Sequence, residues 1–301
     1  TTSPKHRTKL SKEIPKVDFD KSKDLNIQIM SFDELLANLR KSKDHDPYQL
    51  HRIEFFLILI NTHGSFSHFV DFKSYRLEKG DAIFIAKNQV HHFSKEIKQC
   101  RGFCIIFRNV FSGKEYYLPE LLKLNRLFNY HLSSPLIRQK EFDQDNLTDI
   151  ASSLHHEFYF IKSFAKAEIL NALLQALLLK AERAKEAQLI NVVNPHWLDV
   201  FSRFKEMLEK EFKQTRNARI YASELAISYK HLNDIVKELS GKTAKEFIDD
   251  YVIIEIKRYI ASTPLSVKEI SFMTGFEEPT NMIKFFKKKT QKTPLDFRHK
   301  S

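Results

Sequence analysis

Two polar helix faces near the end of the chain carry the side chains best suited to chemistry with another molecule. In Tyr229-Lys230-His231-Leu232-Asn233-Asp234-Ile235-Val236-Lys237 the apolar Leu232, Ile235, Val236 and, further on, Leu239 share one face of a helix. Lys230, Asn233, Asp234 and Lys237 share the other. The segment from Pro279 to Lys288 repeats the arrangement, with Met282, Phe285 and Phe286 inward and Thr280, Asn281, Lys284 and Lys288 outward. These groups suit recognition rather than turnover. An Asn amide pairs bidentately with adenine, and an Asp carboxylate accepts from the cytosine amino group. Asn233, Asp234, Thr280 and Asn281 lie early in their helices, the end that enters the major groove. Lys237, Lys284, Lys287 and Lys288 suit phosphate oxygens, whereas Lys289 turns toward the far side. Asp234 repels phosphate unless it meets a donor.

The element that must position such a face is a shorter helix and a tight turn just before it. Tyr221 to Ser228 supplies one, and Ser266 to Phe276, with Gly275 at the turn, supplies the other, about fifty residues later. Each is a helix-turn-helix pattern. A single polar helix face is equally the mark of a solvated surface; the duplication favours two readers of adjacent groove segments. Gly241 ends the first reading helix. Thr243 to Glu246 is a capping box opening a long helix over 244–262 that joins the motifs, and Thr263-Pro264 stops it. Ser266 to Glu269 is a second capping box, Pro279 fits a first helical position, and Thr293-Pro294 opens a last short helix. About seven helices are expected from Trp197 onward.

The chain has 301 residues, 42% apolar, enough for two domains with full cores. A net charge of +11 makes a polyanion a plausible partner. The excess is strongest at the end, where Lys284, Lys287, Lys288, Lys289, Lys292, Arg298 and Lys300 face only Asp296. Cys100 and Cys104 are four apart on an expected strand, too far for a disulfide, and read as buried reduced thiols of a cytoplasmic protein. No apolar core of signal-peptide length and no membrane span is expected. The sequence offers no phosphate-binding glycine loop, no Gly-x-Ser-x-Gly elbow and no His-Glu-x-x-His, so an enzyme is not expected.

The first half has another texture. Residues 1–24 read as a basic arm. Ser31-Phe32-Asp33-Glu34 is a capping box before a short helix. Between Ile53 and Phe111 short apolar or alternating runs separated by turn signals predict an all-β sandwich or barrel within 25–142. Residues 143–187 are helical, and Leu170, Leu173, Leu174, Leu177, Leu178 and Ala181 form a stripe broadened by Ile169, Ala172, Ala176 and Leu179. A stripe that wide serves either a core or a core plus a second chain, which makes 143–187 a candidate dimerisation segment. Residues 188–196 read as a linker and 197–301 as the DNA-binding domain. The expected class is α+β.

Ser228-Tyr229-Lys230-His231-Leu232, Gly241-Lys242-Thr243, Gly275-Phe276, Phe285-Phe286-Lys287 and Thr293-Pro294-Leu295-Asp296-Phe297-Arg298 resemble the AraC/XylS family of bacterial transcription regulators over 196–299. Two departures are Val236, where an aromatic residue is usual, and Gln291, where Gly is common. The expected partners are double-stranded DNA, a second copy of the chain and RNA polymerase, and the resemblance implies a small effector in an N-terminal cupin-like, jelly-roll barrel. Gly80 to His91 is similar to the family's second cupin strand pair, with Ala86 in place of Pro. Phe55, Leu57, Phe66, Phe84, His91 and Phe93, with Phe103, are candidate effector-lining residues or plain barrel core. His63 and His68 have the wrong spacing for a cupin metal cluster, so no metal or other cofactor is expected. A constitutive regulator with a protein-contact barrel, or a cupin enzyme fused to a DNA domain, are the rival readings.

Overall fold

A computed structural model describes residues 16–17, 26–41, 46–108, 127–130, 134–142, 146–160, 164–186 and 194–300. The arm at 1–24, apart from Lys16 and Val17, and residues 188–193 of the expected linker lie outside these.

Among the described residues ten strands form two five-stranded sheets. In chain order they are β1 (Lys16–Val17), β2 (Ile27–Ser31), β3 (His51–Ile53), β4 (Phe56–His63), β5 (Phe66–Val70), β6 (Lys73–Leu77), β7 (Ala82–Ile85), β8 (Val90–Phe93), β9 (Arg101–Phe107) and β10 (Leu136–Ile137). One sheet runs β1-β3-β8-β5-β6 and the other β10-β7-β4-β9-β2. Every pairing is antiparallel except β1 with β3. Helix α1 (Phe32–Lys41) follows β2, and its expected capping box forms: Ser31 N donates to Glu34 Oε2 at 2.7 Å and Glu34 N to Ser31 Oγ at 3.2 Å.

Strand β4 shows why its sequence is a continuous apolar run. Leu57 to Asn61 are all buried because both faces of the strand are covered. Leu57 and Leu59 point between the sheets, where they join Ile53, Phe66, Val70, Ile83, Ile85, Phe93 and Cys104. Ile58 and Ile60 point outward into a second cluster with Ile27, Ile29, Phe84, Ile105 and Phe107. That outer face is roofed by α2 (Leu147–Phe160) and α3 (Lys166–Glu186) through Leu147, Leu154, Leu170, Leu174, Leu177 and Ala181. One side of the wide stripe on α3 is thereby consumed, while Ile169 and Leu179 stay exposed. Both cysteines are free and buried, and burial pushes the Cys104 thiol up to about 12.

The C-terminal part is helical: α4 (Pro195–Glu211), α5 (Ala218–Glu224), α6 (Tyr229–Ser240), α7 (Ala244–Ser262), α8 (Val267–Met273), α9 (Pro279–Thr290) and α10 (Pro294–Lys300). They share one core in which Phe201, Phe204, Tyr221, Leu232, Ile235, Val236, Phe247, Met282 and Phe286 are buried. α7 runs through its middle and is buried along most of its length, Glu255 and Arg258 included. Among the described residues no helix is long and apolar enough to cross a membrane.

Candidate nucleic-acid interface

The two helix-turn-helix units are the same object built twice. Asn217 and Ser266 cap the leading helices α5 and α8. At the turns, Ala226 N donates to Ser223 O at 3.0 Å and Ile227 N to Ala222 O at 3.0 Å. In the second unit, Gly275 N donates to Phe272 O at 3.1 Å and Phe276 N to Ser271 O at 2.9 Å. Ala226 and Gly275 both take left-handed backbone, with φ of 57° and 77°. Helices α6 and α9 then end alike, on Gly241 (φ 71°) and Gln291 (φ 60°), whose N–H groups donate to Lys237 O and Lys287 O. Thr243 and Thr293 next cap α7 and α10 through Glu246 and Asp296. The expected caps at Ser228, Thr243 and Ser266 all form.

The outward faces are accessible. Lys230, Asp234 and Lys237 on α6 are exposed, as are Thr280, Asn281, Lys284, Lys287 and Lys288 on α9. Asn233 differs from the expectation. It is half-buried, and its Oδ1 accepts from Ala244 N at 3.1 Å, tying α6 to the start of α7. Its carbonyl is therefore committed within the fold before any base approaches. Lys289 turns back, as expected, and lies 3.4 Å from Asp250 and 3.7 Å from Asp249 on α7.

Between the two units lies a cleft of about 780 Å³ lined by Arg216, Arg219, Tyr229, Lys245 and Asn281, among others. It brings the first residue of α6 and Asn281 of α9 to one opening, and it adds cations that sequence reasoning missed. Arg216 is fixed there: its guanidinium sits 3.7 Å over the Phe276 ring and donates to Gly275 O at 3.2 Å. Gly275 has no room for a side chain, because a Cβ would stand 2.1 Å from Lys213 O.

The β-barrel places the other candidates in two groups. Phe55, Leu57, Phe66 and Phe93 belong to the cluster between the sheets. Phe84 does not: with Ile83 and Ile85 facing inward, the alternation of a strand sends it out to Phe128 under the helices, ring centroids 5.7 Å apart. Phe103 faces the same way and stands 5.6 Å from the His155 ring. His91 joins a group that spacing along the chain hid. His51 pairs with His91 across β3 and β8, their rings 4.3 Å apart, and His68 Nε2 lies 3.1 Å from His91 Nδ1. All three are buried. Burial, with smaller contributions from His92 and His51, brings the His68 pKa down to about 3, so it is neutral. Only strand register reveals this row. Among the described residues no three His, Cys, Asp or Glu side chains converge as a metal ion would need.

Comparison with known proteins returns two matches in the order the structure would require. Residues 39–110 match the AraC-like ligand binding domain, and residues 221–300 match a helix-turn-helix domain family. The HTH-type transcriptional activator RhaR of Escherichia coli K12 is 22% identical over 264 residues, covering 84% of this chain and 88% of that protein. The chain thus carries the two domains of an AraC/XylS-type transcription regulator. The HTH-type transcriptional regulator GlxA of Rhizobium meliloti is 28% identical to this AraC-type chain over 123 residues, 40% of this chain and 36% of that protein. Among solved structures, ToxT of Vibrio cholerae O395 aligns with 91% of this chain and 97% of its own at 13% identity and a TM-score of 0.43. The C-terminal domain of the response regulator yesN of Fusobacterium nucleatum aligns with 33% of this chain and 98% of its own at 22% identity and a TM-score of 0.31.

Proposed function

We propose that this AraC-type regulator reads two consecutive major-groove segments of an operator, one with α6 and one with α9. Thr280 and Asn281 contact base edges, and Lys230, Lys237, Lys284, Lys287 and Lys288 contact phosphates, with Asp234 facing base edges between lysines. The observation that carries this is the duplicated turn geometry with a polar, basic and exposed face on each following helix. Residues 25–142 form the sensing domain, 143–187 pair two copies of the chain, 188–196 link, and 197–301 bind DNA in the cytoplasm, where the protein meets RNA polymerase. A small effector bound by the barrel changes how two DNA domains are held, which requires that the effector prefer one arrangement. The match of 39–110 to a ligand binding domain supports the sensing role, and the exposed Ile169, Leu179, Phe160 and Phe164 support pairing through the helices.

Selection of bound sequences from a random duplex pool, followed by footprinting, tests the reading. Enrichment of two short sequence blocks about one helical turn apart per chain is the expected result; binding that falls with salt yet enriches no sequence would refute it.

A second reading is favoured by the filling of the barrel. Leu57, Leu59, Phe66, Ile83 and Ile85 leave at most 2% of their surface exposed between the sheets. A barrel packed in this way suits a constitutive regulator whose N-terminal half contacts protein. A sensor should gain about 2.7 kcal/mol of stability from effector at a hundredfold excess over its Kd. No stabilisation across sugars, sugar acids, aromatics and fatty acids favours the second reading.

A further inference from the structure

The turn between β5 and β6 holds two consecutive residues in left-handed backbone, Asp71 (φ 45°) and Phe72 (φ 70°). Val70 pairs with Lys73, so these are the central pair of a two-residue hairpin, a place that normally takes Asn-Gly. A phenylalanine there is strained, and strain of this kind persists where the surroundings use it. Here both side chains reach across to the helical domain. Asp71 receives a two-pronged bond from Arg258 of α7, Nε to Oδ1 at 2.7 Å and Nη2 to Oδ2 at 2.6 Å. Phe72 meets the Phe297 ring of α10 edge-on at 5.6 Å.

The receiving side is built for this contact. Arg258 is completely buried; its remaining nitrogen, Nη1, donates to Glu255 Oε1 at 2.5 Å, and Nη2, already on Asp71, also donates to Tyr130 Oη at 3.3 Å. Glu255 in turn accepts from Arg52 of β3 at 2.9 Å. On the barrel side, Gln89 Nε2 and Val90 N hold Asp71 in place at 2.8 and 3.3 Å. Burial works to raise the Glu255 pKa, but Arg258 and Arg52 outweigh it and hold the group ionised, and Arg258 stays charged by its neighbours against the same burial. The outward faces of α6 and α9 remain exposed while this contact is made.

We propose that Asp71, Phe72 and Arg258 are positioning residues for DNA recognition: the β5–β6 turn grips α7, the helix both readers share, and so fixes where the reading helices stand relative to the barrel. The inference uses the proposed DNA-reading role of α6 and α9 only for its consequence; the grip itself is a property of the chain alone. A gripped DNA domain engages paired sites at one spacing. A released one binds each site as well but tolerates several spacings.

The test uses the full chain and three variants. Asp71→Asn keeps a residue that accepts left-handed backbone while removing the charge. Phe72→Gly gives the turn the residue its backbone favours while deleting the Phe297 contact. Arg258→Lys keeps the charge and loses the fork. Small-angle scattering should show the radius of gyration of Asp71→Asn and Phe72→Gly increased by about a tenth, with Arg258→Lys between these and wild type. Affinity for a random duplex should change less than about twofold, since the phosphate contacts are untouched. On duplexes selected by the wild type and respaced by a few base pairs, the variants should lose the discrimination that wild type shows. A turn that is merely structural predicts the opposite for Phe72→Gly: a more stable protein with wild-type radius and spacing preference. Unchanged radii in both Asp71→Asn and Phe72→Gly overturn the proposal. If wild type binds no duplex, the DNA reading fails while the scattering result still decides the grip.

Discussion

Ala226 and Gly275 occupy the same place in the two helix-turn-helix units, both with left-handed backbone, yet only one of them has space for a methyl group. Gly275 lies against the Lys213 carbonyl, where a Cβ would stand at 2.1 Å. Ala226 is exposed and pays a backbone penalty without such a clash. Ala226→Gly should therefore stabilise the protein by about 0.5–1 kcal/mol, and Gly275→Ala should destabilise it by about 3 kcal/mol through strain and overpacking. Urea midpoints measure both, and opposite signs are the expected result.

Gln291 repeats the theme at the end of α9. With φ of 60° it stands where Gly241 stands in the first unit, and its side chain recovers only one bond, to Lys288 O at 3.2 Å. Gln291→Gly should raise stability by about 0.5–1 kcal/mol. For the whole chain this appears as a melting temperature about 2 °C higher.

Asn233 and Asn281 should separate in their effects. Asn233→Ala removes the bond to Ala244 N and should lower stability by about 1 kcal/mol. Asn281 is exposed at the mouth of the cleft, so with Asn281→Ala stability should hold within about 0.5 kcal/mol. It should instead relax base preference at one operator position at a cost of about 1–3 kcal/mol. Equal weakening of selected and random DNA would remove Asn281 from the base-reading set.

Lys288 and Lys289 are neighbours with different expected roles. Lys288→Ala should reduce the slope of log affinity against log salt by about 0.9, equally for all sequences. Lys289 is turned to Asp249 and Asp250, so Lys289→Ala should leave that slope unchanged. Titrations of both variants between low and moderate salt decide this.

The neutral His68 sets a pH dependence with a definite sign. In the folded chain it stays unprotonated down to about 3, whereas once unfolded it takes a proton near 6.5. Below 6.5 the unfolded state binds the extra proton, so stability is lost as pH falls from 6.5 toward 3, at up to about 1.4 kcal/mol per unit. Urea midpoints at pH 7 and pH 5 should differ accordingly, and His68→Gln should shrink the difference.

Much of the DNA-binding half was legible in the sequence because its information is local. Caps at Ser228, Thr243 and Ser266, the stop at Gly241 and the inward Leu232, Ile235, Met282 and Phe286 all follow from spacing along single helices. The barrel was legible as strands but not as a surface. Whether Phe84 faces a ligand or a helix depends on its pleat, and the apolar run that makes a strand doubly buried erases the alternation that would tell. Asp71, Arg258 and the row of His51, His68 and His91 were invisible for a related reason: their partners are set by tertiary pairing across many residues. Glu255 and Arg258 inside the apolar stretch of α7 were the one available signal.

The fork between Arg258 and Asp71 bears on how such regulators diversify. Each half contributes one charge that is harmful when buried without its counterpart. A chimera joining this sensor to a foreign reading module inherits an orphaned carboxylate or guanidinium unless the other member travels with it. A substitution at position 71 that removes the carboxylate therefore calls for a matching change at 258.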